Sequence, residues 1–109
     1  MSDIKELTEA LIKFRNEREW EQFHNPKDLA LAINIESSEL LEEFLWKKHE
    51  EANVEKVKEE LADVFAYAIL LADKYDFDIK QIVLDKINKN GEKYPIEKSK
   101  GTAKKYNQL

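Results

Sequence analysis

Two pairs of acidic residues, each set among apolar residues, are the part of this 109-residue sequence that points most directly to chemistry. Glu36 and Glu39 are three residues apart, and Glu60 and Asp63 repeat that spacing further along the chain. Residues three apart lie on one face of an α-helix. Because several buried negative charges are costly without a cation among them, we expect these four carboxylates to bind a metal ion.

The donor chemistry narrows the choice of metal. All four candidate ligands are carboxylates, and the chain has no cysteine. Oxygen donors select a hard ion, and Mg²⁺ with several retained waters fits better than a closed Ca²⁺ cage. Taken singly, a helical glutamate more often faces solvent or pairs with a lysine. Two such acidic pairs within apolar sequence favour metal binding over these alternatives. The sequence therefore predicts a Mg²⁺ site, with Mn²⁺ as a substitute.

The elements that carry these acids are predicted to be helices. Two glycines, two prolines and 38% charged residues suit an all-α, four-helix-bundle-like fold in one domain, residues 1–109. A capping box of Asp3 with Glu6, the pair Asn25-Pro26, Asn53 and Asp78 mark helix starts. The predicted helices cover about 3–17, 26–49, 54–75 and 78–91, the last closed by Gly91, and a polar tail without helical period follows over 94–109.

The second and third predicted helices bring the two acid pairs together. A short link near Glu51 makes the two helices antiparallel neighbours, which sets Asp63 opposite Glu39. Apolar residues occur on more than one side of the second helix from Leu29 to Trp46. We therefore expect that helix to be largely buried.

The acid pairs also carry a family resemblance. Glu36-Ser37-Ser38-Glu39, followed by Glu60-Leu61-Ala62-Asp63, resembles the ExxE…ExxD signature of the MazG-like, all-α nucleotide pyrophosphohydrolases. Further segments resemble the dCTP pyrophosphatase branch of that family, so that the likeness spans nearly the whole chain. They are Arg18 to Pro26, Phe44 to Lys47, Lys86 to Asn90, Tyr94-Pro95 and Ser99 to Tyr106.

The resemblance implies a reaction. It is the hydrolysis of a deoxynucleoside triphosphate, dCTP or a related one, between the α- and β-phosphates, giving a monophosphate and pyrophosphate for nucleotide-pool cleansing. Glu36, Glu39, Glu60 and Asp63 would hold the Mg²⁺ that bridges the phosphates, and Glu36 or Glu39 would take the proton of the attacking water. The family also implies a homo-oligomer, a dimer or a tetramer of two dimers, with sites between subunits.

The resemblance implies substrate contacts as well. Trp20, His24, Trp46 and Tyr67 match positions around the base, where aromatic planes stack and polar edges discriminate. Lys86 and Asn90 match positions that contact phosphate or sugar. In one departure, Leu11 stands where dCTP-specific relatives place a histidine near the base, which leaves the base preference open.

Composition excludes some function classes and leaves two alternatives. The net charge of −5 argues against nucleic-acid binding, and no apolar run reaches the roughly 20 residues of a membrane span. The first residues lack the pattern of a signal peptide, so a cytoplasmic location is expected. One alternative is a pyrophosphohydrolase for dUTP or a modified nucleotide. The other is a non-catalytic helical interaction or regulatory module.

Overall fold

Every regular element of the protein is a helix in the computed structural model, which describes residues 2–109. The five α-helices are α1 (Asp3–Glu17), α2 (Pro26–Glu42), α3 (Val54–Lys74), α4 (Ile79–Lys93) and α5 (Ile96–Ser99). Short 3-10 turns cover Glu21–Phe23, His49–Glu51 and Tyr106–Gln108. No strand occurs within residues 2–109, which confirms the all-α prediction.

The chain divides into two compact units, of which the first ends at Phe77 and the second is Asp78–Leu109. In the first unit α3 packs against both α2 and α1. Its most buried apolar residues are Leu29 on α2 and Ile69, Leu70 and Ala72 on α3. The packing of α2 on α3 is what brings the two acid pairs into one region. No helix in the part of the chain that is described is long and apolar enough to cross a membrane.

Side-chain caps define the helix starts. Asn25, Asn53 and Asp78 each accept a hydrogen bond from a backbone N–H in the first turn of α2, α3 and α4, as predicted. The first helix covers Asp3–Glu17 as predicted, but its capping side chain is the Ser2 hydroxyl and not Asp3. Ser2 precedes two acidic residues of the first turn, where the helix dipole favours negative charge.

The second helix is shorter than predicted. It ends at Glu42 and not near His49, and turns cover the next residues before a 3-10 turn at His49–Glu51. Trp46 has φ +62°, a left-handed conformation that an α-helix cannot contain. The apolar pattern runs on past Glu42 without a glycine or proline, so the sequence carries no local stop signal.

The second unit also departs from the prediction at its end. Gly91 does not close α4, which continues to Lys93. The tail predicted to lack helix contains α5, which begins just after Pro95, and the last 3-10 turn. Within this unit the Tyr106 ring packs edge-on against Tyr94, 6.1 Å between centroids, and lies 5.0 Å from the Lys93 ammonium. These contacts order a segment that its sequence alone marks as an extension.

The expected burial of the second helix is wrong for a single chain. Leu29 is 1% exposed, but Leu31, Ile35 and Leu41 are 50–60% exposed. The physical reason is that α3 covers one side of α2, so apolar residues distributed around the helix cannot all be buried within this unit.

Candidate metal site and adjoining aromatic pocket

Three acidic side chains meet where α2 packs on α3. Glu36 on α2 and Glu60 and Asp63 on α3 each place one carboxylate oxygen within 4.8 Å of the other two. The spacing of three residues puts Glu60 and Asp63 on one face of α3, and helix packing adds Glu36 from the other side. Oxygens this close can act together as ligands of one cation. We call this group the acidic cluster.

Glu39 lies beside this cluster and not within its closely spaced set. Its carboxylate is near enough to Glu36 and Glu60 to raise the pKa of both side chains. The structure therefore brings all four predicted ligands into one region, with three of them at ligand spacing. The role of each as a metal ligand stays a prediction.

The electrostatics of the acidic cluster fit a cation. Burial raises the pKa of Glu36 to about 7, and the Glu39, Asp63 and Glu60 carboxylates add to this effect. Burial also raises the pKa of Glu60, and the Glu39 and Asp63 carboxylates add to this effect. One oxygen of Glu36 and one of Glu60 are buried without a hydrogen-bond partner. None of the ion pairs in residues 2–109 involves these acids, so a divalent cation would supply the missing partner.

A cavity of about 260 Å³ adjoins the acidic cluster. This volume lies just below the usual range of ligand pockets, about 300–1,000 Å³, and suits one small ring system. Asp63 belongs both to the acidic cluster and to the wall of this aromatic pocket. The lining residues are Leu11, Phe14, Arg15, Trp20, His24, Asp63, Ala66, Tyr67 and Leu70.

Aromatic pairs on two sides shape the aromatic pocket. Phe14 and Trp20 pack edge to face with 5.8 Å between ring centroids, and His24 and Tyr67 do so at 6.2 Å. In an edge-to-face pair the partner ring does not cover both ring faces, but the Arg18 guanidinium lies over the Phe14 ring, 3.7 Å from its centroid.

Two polar groups of the pocket have shifted acidities. Burial lowers the pKa of His24, and the charges of Arg15 and Lys74 add to the effect, so this imidazole is neutral near pH 7. Its Nδ1 atom is buried without a partner. Burial raises the pKa of Tyr67, and the nearby Glu36 and Asp63 carboxylates add to it. The Tyr67 hydroxyl therefore stays protonated and can donate a hydrogen bond.

The structure brings together some of the predicted substrate contacts. Trp20, His24 and Tyr67 all line the aromatic pocket. Trp46 does not, because it lies in the turn after α2 with its side chain fully exposed. Lys86 and Asn90 lie four residues apart on α4 in the second unit, and both are exposed. Their binding roles stay predictions.

Sequence reasoning missed some residues of the pocket wall. Arg15 is the most notable, because it is only 5% exposed although it is charged. A signal was present, since Arg15 follows Leu11 by four residues and so shares its helix face. Leu11, which the family resemblance led us to expect near the base, does line the pocket.

Comparisons with known proteins identify the family and the fold of this chain. The sequence pattern of the MazG-like family matches residues 31–109, which include both acid pairs. The dCTP pyrophosphatase 1 of Bos taurus is 38% identical over the whole of this chain and 68% of its own length, and that of Homo sapiens is 35% identical over 67% of its length. A pyrophosphatase from Archaeoglobus fulgidus superposes with a TM-score of 0.81 at 37% identity, covering 87% of this chain and 94% of that one.

Proposed function

This chain belongs to the MazG-like family, and we propose that it hydrolyses deoxynucleoside triphosphates, with dCTP as the leading substrate, to a monophosphate and pyrophosphate. The family resemblance and the MazG-like fold inferred from the sequence are confirmed by the family match and by the pyrophosphatase structure. The cellular role that follows is removal of unwanted deoxynucleotides from the precursor pool.

The observation that carries this proposal is the position of Asp63. Its carboxylate stands among the oxygens of the acidic cluster, and its residue forms part of the aromatic pocket wall. A nucleotide has a flat base at one end and a polyanion at the other. One such molecule can place its base among the aromatic rings while its phosphates meet a cation held by the acids.

Magnesium is the cofactor in this proposal, with manganese as a substitute. Glu36, Glu39, Glu60 and Asp63 would hold it, and the unpartnered buried oxygens of Glu36 and Glu60 support that assignment. When bound, the ion neutralises the phosphates, polarises the phosphorus and lowers the pKa of water. The chain itself orients the triphosphate, and Glu36 or Glu39 receives the proton of the attacking water.

The base is proposed to lie against Trp20 and Tyr67. The neutral His24 ring lines the pocket and is proposed to offer a hydrogen bond to the base edge. Lys86 and Asn90 are proposed to contact phosphate or sugar. Trp46, which is fully exposed, is proposed to complete the pocket of a neighbouring copy in a homodimer or a tetramer of two dimers.

A second substrate stays open because of Leu11. An apolar side chain at this place in the pocket wall does not by itself select cytosine, so dUTP or a modified nucleotide is the alternative substrate. The rates for the individual triphosphates separate these cases. The cytoplasmic location expected from the sequence belongs to the same proposal.

The test is to incubate the purified protein with Mg²⁺ and each common nucleoside and deoxynucleoside triphosphate, and to separate the products by ion exchange. Asp63→Ala is compared with Asp73→Ala, a change on the same helix at a side chain with no recorded hydrogen bond or ion pair in residues 2–109. Monophosphate and pyrophosphate that require metal and Asp63, but not Asp73, support the proposal. Release of a diphosphate and inorganic phosphate, or no turnover at all, would overturn it.

A further inference from the structure

Arg15 is a charged side chain buried in the wall of the aromatic pocket. It is 5% exposed and lies beside Leu11, Phe14 and Leu70, which are apolar. Arginine is rarely buried to this degree unless its guanidinium is paired. Whether Arg15 can bind a ligand therefore depends on how many of its N–H donors already have acceptors within the protein.

The hydrogen-bond and ion-pair partners of Arg15 do not use all of its N–H donors. Its Nε donates to Asn16 Oδ1 at 3.2 Å, and a terminal nitrogen lies 3.7 Å from Glu21 Oε2. The second distance is longer than the roughly 2.7–2.9 Å of a charge-assisted hydrogen bond. Glu21 is also shared with the Lys74 ammonium at 3.3 Å. Because a guanidinium has five N–H donors, these contacts fix Arg15 in place without saturating it.

Arg15 is also the permanent positive charge of the pocket wall. His24 is neutral near pH 7, and the other polar lining groups are Trp20, Asp63 and Tyr67. A rigid, planar set of donors in apolar surroundings recognises a pair of adjacent acceptors on a flat ligand.

We propose that Arg15 is a specificity-determining residue whose guanidinium pairs with the adjacent N3 and O2 acceptors of cytosine and so selects dCTP over dUTP. This inference rests on the proposed function, since it assumes that the aromatic pocket receives the base. Uracil carries an N3–H donor where cytosine has an acceptor. That N–H would face an N–H of the guanidinium, so that two donors meet and a buried donor is left without an acceptor. An unpartnered buried donor is the basis of strong discrimination between substrates.

The kinetic test compares kcat/KM for dCTP and dUTP in four proteins: wild type, Arg15→Met, Arg15→Lys and Lys13→Met. Lys13 is exposed on the same helix and does not line the pocket, so its variant removes one positive charge as a matched control. We expect Arg15→Met to lower the dCTP-to-dUTP ratio by at least about tenfold, Arg15→Lys to lower it less, and Lys13→Met to leave it unchanged. The ratio is used because a folding fault lowers both rates alike.

A binding measurement separates this inference from the proposed function. Calorimetry without metal records the affinities of dCMP and dUMP, which need no hydrolysis. If the wild type prefers dCMP in an Arg15-dependent way but hydrolyses no triphosphate, the inference stands and the proposed function fails. If the wild type hydrolyses triphosphates but Arg15→Met or, should that variant not fold, Arg15→Lys keeps the wild-type ratio, the inference is overturned. Failure of the wild type to bind either monophosphate overturns it as well.

Discussion

The acidic cluster lowers the stability that we expect for the metal-free protein. Glu36, Glu60 and Asp63 approach within 4.8 Å, and two buried oxygens have no partner. Evolution toward stability alone would replace such a group with apolar or neutral residues. Its presence is therefore best explained by a ligand that compensates the charge, and individual substitutions should separate stability from activity.

Neutralising one acid of the cluster should abolish activity. Glu60→Gln keeps the shape of the side chain and removes the charge, and we expect kcat/KM for dCTP to fall by more than about 100-fold, since even residues that merely support metal ligands cost about 10–100-fold. The measurement is a rate series with increasing Mg²⁺. The control is Glu59→Gln, the exposed preceding residue. Equal losses in the two variants, or none in Glu60→Gln, would contradict the assignment.

The stability of the metal-free protein should fall as pH rises toward neutrality. Glu36 has its pKa raised from 4.5 to about 7 by burial and by neighbouring acids. Between these values the folded state holds a proton that the unfolded chain releases, so stability present below about pH 4.5 is lost as pH passes about 7. Thermal melts in EDTA at about pH 5 and about pH 7.5 measure the change, and added Mg²⁺ should restore stability at the higher pH.

Variants isolate the contribution of Glu36 to this pH dependence. Glu36→Gln removes the titrating group, so we expect it to melt above the wild type near pH 7.5 and to show a shallower dependence on pH. Glu42→Gln, exposed on the same helix, should follow the wild type. A Glu36→Gln protein that melts below the wild type in EDTA at that pH would show that burial of this charge is not destabilising.

At the level of elements, the start of α2 decides how Glu36 meets α3. Asn25 Oδ1 accepts the Asp28 N–H at 2.9 Å, and Asn25 Nδ2 donates to Asp28 Oδ2 at 2.7 Å. Pro26 follows at the first helical position, where its missing N–H costs nothing. The helix thus begins at a defined residue, and Leu29 then anchors it in the core.

Removal of this cap should destabilise the protein. We expect Asn25→Ala to lower the free energy of unfolding by about 1 kcal/mol, because a first-turn N–H loses its acceptor. Urea denaturation measures the change. Asn25→Ser retains a capping oxygen and should lose much less. If both variants lose the same amount, the side chain acts through some other contact than the cap.

At the level of the whole molecule, large apolar side chains stay exposed on both helices that carry the acids. Ile35 on α2 is 55% exposed and Phe65 on α3 is 59% exposed. Trp46, in the chain segment that connects these helices, is fully exposed. A single chain of this size has few other surfaces with which to cover them. We propose that identical chains associate and so cover these side chains.

Sedimentation equilibrium tests that proposal. We expect the wild type to have the mass of a dimer or tetramer of the 12.9 kDa chain. Phe65→Glu should weaken self-association by at least about tenfold, because a buried aromatic anchor at an interface is worth about 2 kcal/mol or more. Lys13→Glu, at an exposed charged residue of α1, is the control and should leave the mass unchanged. A monomeric wild type would contradict the proposal.

Local patterns in the sequence determined the fold class, the starts of the four principal helices, three of them with the correct capping residue, and the acidic region. These features depend on interactions within a few residues: a cap reaches the first turn, and a spacing of three places Glu60 beside Asp63 on one helix face. The family resemblance rests on the same acid pairs and was confirmed by comparison. Such short-range features can be read from sequence because their geometry is set by the helix itself.

Only the tertiary structure decided the rest. The second helix ends at Glu42 and Trp46 adopts a left-handed conformation in the turn that follows, and helix packing leaves Glu39 beside the closely spaced set of acids. The same packing buries Arg15 in the pocket wall, whereas its spacing from Leu11 shows only that the two residues share a helix face. Each of these depends on which surfaces of α1, α2 and α3 meet. That outcome is set by the sum of many weak contacts between residues distant in sequence, and helical periodicity does not contain it.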